Sequence, residues 1–169
     1  IIEDKEQMFF ELVSILVQKL LNISYQTIVF EVNIAKKENR LKGKTPLQRS
    51  QYFCHSVLKD ENYLKDIYLV YPELIRILDT TVQNSLKYFN EIISNTGKNL
   101  KTLNAIFGDG SDLGVIKKIE IDFGDTNKGG KSVSKLIFIN NKVLIYKPNK
   151  LDLEIGYEKF INWFNENKT

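Results

Sequence analysis

A glycine-rich polar loop between two apolar segments constrains the fold of this 169-residue chain more than any other feature. Residues 124–133 read GDTNKGGKSV, and residues 136–148 read LIFINNKVLIYKP. Glycine adopts backbone conformations that other residues avoid, and β-branched and aromatic residues favour strands. Two asparagines at 140 and 141 fit a turn, and a proline at 148 ends the ladder. This segment therefore predicts a glycine loop followed by a β-hairpin.

A lysine at the end of the second hairpin strand, Lys147, adds charge to this arrangement. In kinase-type enzymes a glycine loop offers backbone N–H groups to phosphate oxygens, and a lysine on a nearby strand neutralises their charge. Lys131 places a second ammonium in the loop, and Gly129 and Gly130 allow the backbone to approach a ligand. A plain polar hairpin loop and a solvated strand end explain the same residues without a ligand. Both interpretations remain open on the pattern alone.

The residues before the loop are predicted to be mainly helical. Apolar residues recur at three- and four-residue spacing over 1–22 and 72–94, which predicts amphipathic helices. Thr45 followed by Pro46 predicts the start of another helix, and residues 95–97, Asn-Thr-Gly, predict the end of the long one. Residues 24–35 are rich in β-branched and aromatic side chains, so propensity favours a strand, although tertiary packing could make the segment a helix or an extended packing segment.

The fold class predicted from these elements is α+β. Residues 1–107 form a mainly helical lead-in, and residues 115–169 form a small antiparallel sheet plus a closing helix. A chain of this length with 43% hydrophobic residues can bury one substantial core and is too short for two large domains.

Composition excludes several classes of function. The net charge is +3 with both signs interspersed, and no basic stripe interleaved with aromatics indicates nucleic acid. The sequence has one cysteine, Cys54, and one histidine, His55, so neither a disulfide framework nor a histidine-based metal cluster is expected. A single cysteine fits a protein of the reducing cytoplasm. The apolar segment 8–21 contains Glu11, Gln18 and Lys19, so no transmembrane segment is predicted.

The loop and hairpin together resemble the dehydratase domain of class II lanthipeptide synthetases, the LanM type. The resemblance rests on GDTNKGGKSV at 124–133 and on Tyr-Lys-Pro at 146–148. Agreement extends to LKGKTPLQR at 41–49, YPEL at 71–74 and FINWFN at 160–165, in this order. The resemblance therefore covers the chain from about residue 29 to its end.

The resemblance implies a chemistry and a set of site residues. The dehydratase domain of this family has a lipid-kinase-like fold, whose small lobe the sheet and helix resemble, and it uses ATP and Mg²⁺. It phosphorylates Ser and Thr of a precursor peptide, which carries a leader and a Ser/Thr/Cys-rich core, and then eliminates the phosphate to leave dehydroalanine and dehydrobutyrine. By matching position, Lys147 contacts the ATP phosphates, Asp125 belongs to the phosphorylation site, and Lys131, Gly129 and Gly130 assist cofactor binding.

Further expectations follow from where the chain departs from the family pattern. Asn127 stands where the family commonly has histidine, so it can position a group but cannot exchange a proton near neutral pH. The family's catalytic loop, its metal-binding aspartate and its zinc cyclase come after the Tyr-Lys-Pro strand. The resemblance therefore implies that residues 1–169 are one partial domain, truncated before the catalytic loop, which is expected to be inactive alone and to need the remainder of the synthetase. Glu158 or Glu154, on the helix after Lys147, is a candidate to orient that lysine.

Two alternatives to a lanthipeptide dehydratase are kept. Another kinase-like phosphotransferase would share the dependence on ATP but leave phosphate on its product. A non-catalytic module on the same scaffold would account for Asn127.

Overall fold

The computed structural model of the chain describes residues 1–148 and 152–167, with the side chains of residues 122, 124–128 and 152 outside its description. The elements, in chain order, are α1 (Lys5–Lys37), α2 (Pro46–Tyr52), α3 (Glu61–Val70), α4 (Pro72–Phe107), β1 (Ile116–Asn127), β2 (Lys131–Phe138), β3 (Val143–Tyr146) and α5 (Asp152–Glu166). A π-helical turn follows α2, and a 3-10 turn lies between β1 and β2. The predicted α+β class is confirmed: the protein is mostly helical with one small antiparallel sheet.

The described chain divides into two compact units. One contains Ile1–Met8 and Leu86–Thr169, and the other contains Phe9–Ser85. The first holds the sheet, the C-terminal part of α4 and α5. The second holds most of α1, together with α2 and α3. The interpretation of the chain as one partial domain remains a prediction.

The strand favoured over residues 24–35 is wrong and the helical alternative is confirmed, because α1 continues as a helix to Lys37. Its buried positions include Met8, Leu12, Glu31 and Ala35, whose separations are multiples of three to four residues. Beyond residue 22 the inward face of α1 carries polar as well as apolar side chains. The apolar residues alone therefore do not show a helical period in this stretch. The β-branched residues of this stretch have only a weak preference for strands, and the helical period of the buried face overrides it.

Helix α1 is also long and apolar enough to cross a membrane, judged by length and composition alone. One 18-residue window reaches a mean hydropathy of 1.3, and 6% of that window is buried. The sequence interpretation ended the apolar segment at residue 21, whereas the helix extends well beyond it. Core helices of soluble proteins and signal sequences meet the same criterion, so α1 by itself assigns no membrane location.

Glu31 of α1 is the buried polar centre of the second unit. It is 7% exposed, and its carboxylate accepts hydrogen bonds from the hydroxyls of Tyr63 on α3 and Tyr71 before α4. The Tyr71 hydroxyl lies 2.6 Å from Glu31 Oε1. Arg40 stacks over the Tyr63 ring, with its guanidinium carbon 5.1 Å from the ring centroid. A buried carboxylate without donors would be costly, so these two hydroxyls let α1 carry a charged residue on its inward face.

Helix α4 also runs further than the sequence predicts, to Phe107, and the predicted end at residues 95–97 is wrong. Thr96 Oγ1 donates to the Ile92 carbonyl at 2.8 Å, so a residue typical of turns is satisfied inside the helix. A Cβ atom on Gly97 would lie 3.0 Å from Ile1 Cδ1. Gly97 therefore serves close packing against the N-terminal residues rather than a helix end.

The sheet has the order β1–β2–β3, and both pairings are antiparallel. Alternate residues of β2 are buried, and the same face of β1 adds apolar side chains. The buried residues of this face are Ile116, Ile119, Ile121, Ser132, Ser134, Leu136 and Phe138. Buried side chains on the C-terminal part of α4, in the same unit, complete the core: Tyr88, Phe89, Ile92 and Thr96. The predicted hairpin with its turn at Asn140 and Asn141 is confirmed.

We predict that Tyr71→Phe lowers the free energy of unfolding by about 2 kcal/mol, because a hydrogen bond to a charged acceptor contributes about this much. Urea denaturation of the 169-residue chain measures the change. Tyr25→Phe is the matched control, because Tyr25 is 66% exposed on α1, and its effect should stay within about 0.5 kcal/mol. Equal unfolding free energies for Tyr71→Phe and wild type would contradict the role assigned to this bond.

We also predict a loss of stability at high pH that depends on these tyrosines. The hydrogen bond to Glu31, with burial, raises the pKa of Tyr71 from 10.0 to about 12, and burial followed by the Glu31 bond raises the pKa of Tyr63 well above its usual range. The folded state therefore keeps protons that the unfolded state releases. Stability from this source is complete below pH 10 and falls as the pH rises towards 12. Unfolding free energies measured over this range should fall more steeply for wild type than for Tyr71→Phe, and parallel curves would exclude the linkage.

Candidate functional site

The turn between β1 and β2 contains two consecutive glycines in a left-handed conformation. Gly129 has a φ of 77° and Gly130 a φ of 75°, a region that residues with a Cβ atom rarely adopt. A Cβ atom on Gly130 would have no neighbour within 4 Å. The backbone conformation therefore requires glycine here, and the space in front of Gly130 is open. This turn is shorter than the sequence predicts, because residues 124–127 belong to β1.

Two of the predicted site residues, Asp125 and Asn127, lie at the end of β1. Asn127 pairs in register with Lys131, which begins β2 on the other side of the turn. The side chains of Asp125 and Asn127 lie outside the described residues, so the roles predicted for them remain predictions.

Lys131 forms an ion pair with a glutamate on α4. Its Nζ lies 2.5 Å from Glu91 Oε2, and 32% of each side chain is exposed. The ammonium is also 6.0 Å from the centroid of the Tyr88 ring. Partial burial strengthens the attraction between the two charges relative to a fully solvated pair. The pair therefore fixes an ammonium directly after the glycine turn.

The other carboxylate oxygen of Glu91 connects to the end of β3. Tyr146 donates from its hydroxyl to Glu91 Oε1 at 3.3 Å and accepts from Asn95 Nδ2 at 2.9 Å. Burial is the main reason that the pKa of Tyr146 is raised, and the charge of Glu91 raises it further, while the Asn95 bond opposes both. Tyr146 is therefore a neutral hydrogen-bond donor at physiological pH.

Tyr88 attaches the same helix to β2. Its hydroxyl donates to the Ser132 carbonyl and lies 3.1 Å from Ser134 Oγ. Both serines are buried, and their small side chains leave room for the tyrosine. Tyr88, Glu91 and Asn95 follow one another at helical spacing, so one face of α4 makes all three connections to the sheet.

Lys147, the other predicted phosphate ligand, follows β3 directly and is exposed. Ile145 pairs with Lys135 of β2, and Lys135 Nζ lies 4.2 Å from the Phe123 ring centroid. Alternation along an extended chain directs Lys147 to the face of Ile145 and away from Tyr146. The structure thus brings Lys131 to α4 and leaves Lys147 towards the other face of the sheet.

The helix-borne glutamate predicted to orient Lys147 is not seen as its partner. Glu154 and Glu158 lie exposed on α5, and within the described part of the chain neither forms an ion pair with Lys147. The strand lysine that does pair with a helix glutamate is Lys131. Sequence reasoning missed Glu91 because α4 was interpreted as an apolar stripe. The signal that could have identified it is the set of polar side chains at 88, 91 and 95, which recur at helical spacing beside that stripe.

These residues together can bind anionic oxygens. The oriented ammonium of Lys131 and the left-handed glycine turn with its open space offer positive charge and backbone donors. Among the described residues, no group of three or more His, Cys, Asp or Glu side chains is arranged to hold a metal ion.

Comparison with known proteins places this geometry in a family context. Residues 71–169 match the family described as Domain of unknown function (DUF4135). The chain is 26% identical over 148 residues to the "Lacticin 481/lactococcin biosynthesis protein LcnDR2" of Lactococcus lactis subsp. lactis. That alignment covers 86% of this chain and 15% of the relative, so the chain spans a small part of the curated protein it matches. The predicted resemblance to LanM-type synthetases is confirmed, and the chain belongs to the DUF4135 family.

Proposed function

We propose that this chain is part of the dehydratase of a class II lanthipeptide synthetase, an enzyme of lantibiotic biosynthesis. Its family and its similarity to a lacticin 481/lactococcin biosynthesis protein support this role. The observation that carries the proposal is the ammonium of Lys131, held 2.5 Å from Glu91 immediately after two left-handed glycines. In the proposed reaction the enzyme phosphorylates Ser and Thr of a precursor peptide with ATP and Mg²⁺, and then eliminates the phosphate.

The described residues fit an ATP phosphate group. The open space at Gly130 admits a ligand close to the backbone, and the turn carries Lys131 at its end. Lys131 would hold the phosphates, with the backbone of Gly129 and Gly130 beside it, and the family motif assigns Lys147 to the same phosphates. ATP supplies the phosphoryl group when bound, and Mg²⁺ offsets its charge. The lysines contribute positioning and charge neutralisation, which account for most of the catalysis of phosphoryl transfer.

Asp125 and Asn127 are proposed to face the peptide hydroxyl from the end of β1. Asp125 belongs to the phosphorylation site in this scheme, as the family motif implies. Asn127 keeps the capacity to donate and accept hydrogen bonds, but it does not exchange protons near neutral pH. Its role is therefore to orient a group.

The partners in this proposal are the precursor peptide and the remainder of a synthetase. Zinc belongs to the cyclase domain of such synthetases and not to this segment. A cytoplasmic location is proposed, and the exposed free thiol of Cys54 is compatible with a reducing compartment. The small lobe of a lipid-kinase-like fold is the architecture proposed for the sheet unit.

We predict that Lys147→Met and Lys131→Met, each made in the full-length protein that carries this chain, lower the rate of peptide phosphorylation at least about 100-fold. Removing a preorganised charge from a transition state has an effect of this size. Mass spectrometry of the peptide measures the rate, and it separates a dehydratase, whose product has lost water, from a phosphotransferase, whose product has gained phosphate. Lys101→Met, at an exposed position of α4, is the control. Dehydration at the normal rate by either lysine variant would show that its assignment is wrong, and absence of MgATP binding by wild type would favour the non-catalytic module.

We predict that Gly130→Ala weakens MgATP binding while Gly110→Ala does not. Both glycines have positive φ, 75° and 83°, and an added Cβ atom at either would have no neighbour within 4 Å. Each substitution should therefore cost about 1 kcal/mol of stability, from backbone strain alone. Urea denaturation and calorimetric titration with MgATP measure the two effects. Equal weakening of MgATP binding in both variants would mean that the turn has no specific part in it.

A further inference from the structure

We propose that Glu91 of α4 is a positioning residue for Lys131 and for the strand end that carries Lys147. This inference rests on the proposed function, because it assigns Glu91 a role in holding the two lysines that bind the ATP phosphates. Glu91 acts through these lysines and does not itself contact the nucleotide.

The contact between Glu91 and Lys131 restricts the flexible lysine side chain directly after the glycine turn, where the proposed function needs its ammonium beside the phosphates. Lysine has four rotatable side-chain bonds and a compact charge, so a free lysine after the glycine turn would sample many positions. Glu91 Oε2 holds its ammonium at 2.5 Å. An ammonium has three donors, and 32% of the Lys131 side chain remains exposed, so the pair leaves donors for a second anion.

Glu91 itself lies on a firmly attached element. Three residues away on α4, Tyr88 donates to the buried Ser132 carbonyl, and four residues away Asn95 donates to the Tyr146 hydroxyl. The carboxylate is therefore fixed between two anchors on the same helix face. Rigid support of this kind keeps binding groups in a productive position.

The second oxygen of Glu91 extends its influence to β3. Tyr146 donates to Glu91 Oε1 at 3.3 Å, and Lys147 is the next residue in the chain. One carboxylate thus connects the lysine that follows the glycine turn to the residue that precedes the second lysine. Removing Glu91 should disturb both Lys131 and the strand end that carries Lys147, whereas removing an ordinary surface ion pair should disturb neither.

The test uses the full-length protein that carries this chain, with steady-state kinetics of peptide phosphorylation at varied MgATP. Glu91→Gln should lower kcat/KM for MgATP by about 100-fold, the effect of a misplacement of about 1 Å. Glu91→Asp, which keeps the charge but shortens the reach, should give a smaller loss and guards against a folding defect in the first variant. Glu73→Gln is the matched control, because Glu73 lies on the same helix, is 76% exposed and pairs with Arg76. Its kcat/KM should equal that of wild type.

A charge exchange tests whether the position of the ammonium matters or only the presence of the ion pair. In the double variant Glu91→Lys with Lys131→Glu, the opposite charges again face each other, so the unfolding midpoint lost in Glu91→Lys should return. The ammonium then lies on α4 and a carboxylate follows the glycine turn, so kcat/KM for MgATP should remain at least about 100-fold below wild type. Recovery of kcat/KM together with stability would overturn the proposal.

Two further outcomes separate a failure of the role of Glu91 from a failure of the proposed function. If wild type uses MgATP and Glu91→Gln has the same kcat/KM, Glu91 has no positioning role, and the proposed function stands. If wild type neither binds nor uses MgATP, the proposed function fails and this inference fails with it.

Discussion

The attachment of one face of α4 to the sheet is the interaction on which the C-terminal unit depends. Tyr88 donates to the Ser132 carbonyl, and Glu91 and Asn95 connect the helix to Lys131 and to the hydroxyl of Tyr146. A buried polar group without a partner costs more than a satisfied one contributes, so these bonds allow only a narrow range of helix positions. Among the described residues, no buried side-chain nitrogen or oxygen lacks a partner. The contacts between α4 and the sheet also fix the position of the glycine turn, because Lys131 follows the turn directly and forms one of these contacts.

The two units each contain a helix-borne glutamate bound by tyrosine, and the differences between them are informative. Glu31 is 7% exposed and accepts hydrogen bonds from two neutral hydroxyls. These bonds satisfy the buried carboxylate, so its role is structural. Glu91 is more exposed, pairs with a cation and stands next to an open glycine turn. A carboxylate that orients an ammonium towards solvent can serve a ligand, whereas one enclosed by tyrosines cannot. Exposure and the charge of the partner therefore decide which glutamate belongs to the candidate site.

Local chemistry accounts for the elements that the sequence predicts correctly. The Thr45-Pro46 helix start is confirmed with a capping box, in which Thr45 Oγ1 accepts from the Gln48 backbone at 3.2 Å. The hairpin and the left-handed glycines are likewise dictated by residues close in the chain. The wrong predictions have long-range causes. The inward face of α1 includes Glu31, whose donors lie 32 and 40 residues away, and Gly97 packs against Ile1, which is also remote in the sequence. Neither contact has a local signature in the sequence. Strand propensity therefore gave the wrong element for residues 24–35, and Gly97 gave the wrong end for α4.

The sequence by itself determined that the protein has helices, a hairpin and a glycine turn bordered by lysines, and its motifs identified the family resemblance. These features follow from backbone preference, side-chain periodicity and residue order, all of which are local. Only the tertiary structure decided which acidic side chain Lys131 meets. Any of 21 aspartates and glutamates could have supplied that charge, and the one that does lies 40 residues upstream. The choice depends on how α4 packs on the sheet, and packing across such a separation is fixed by the shape and hydrogen bonding of the assembled core rather than by neighbours in the chain.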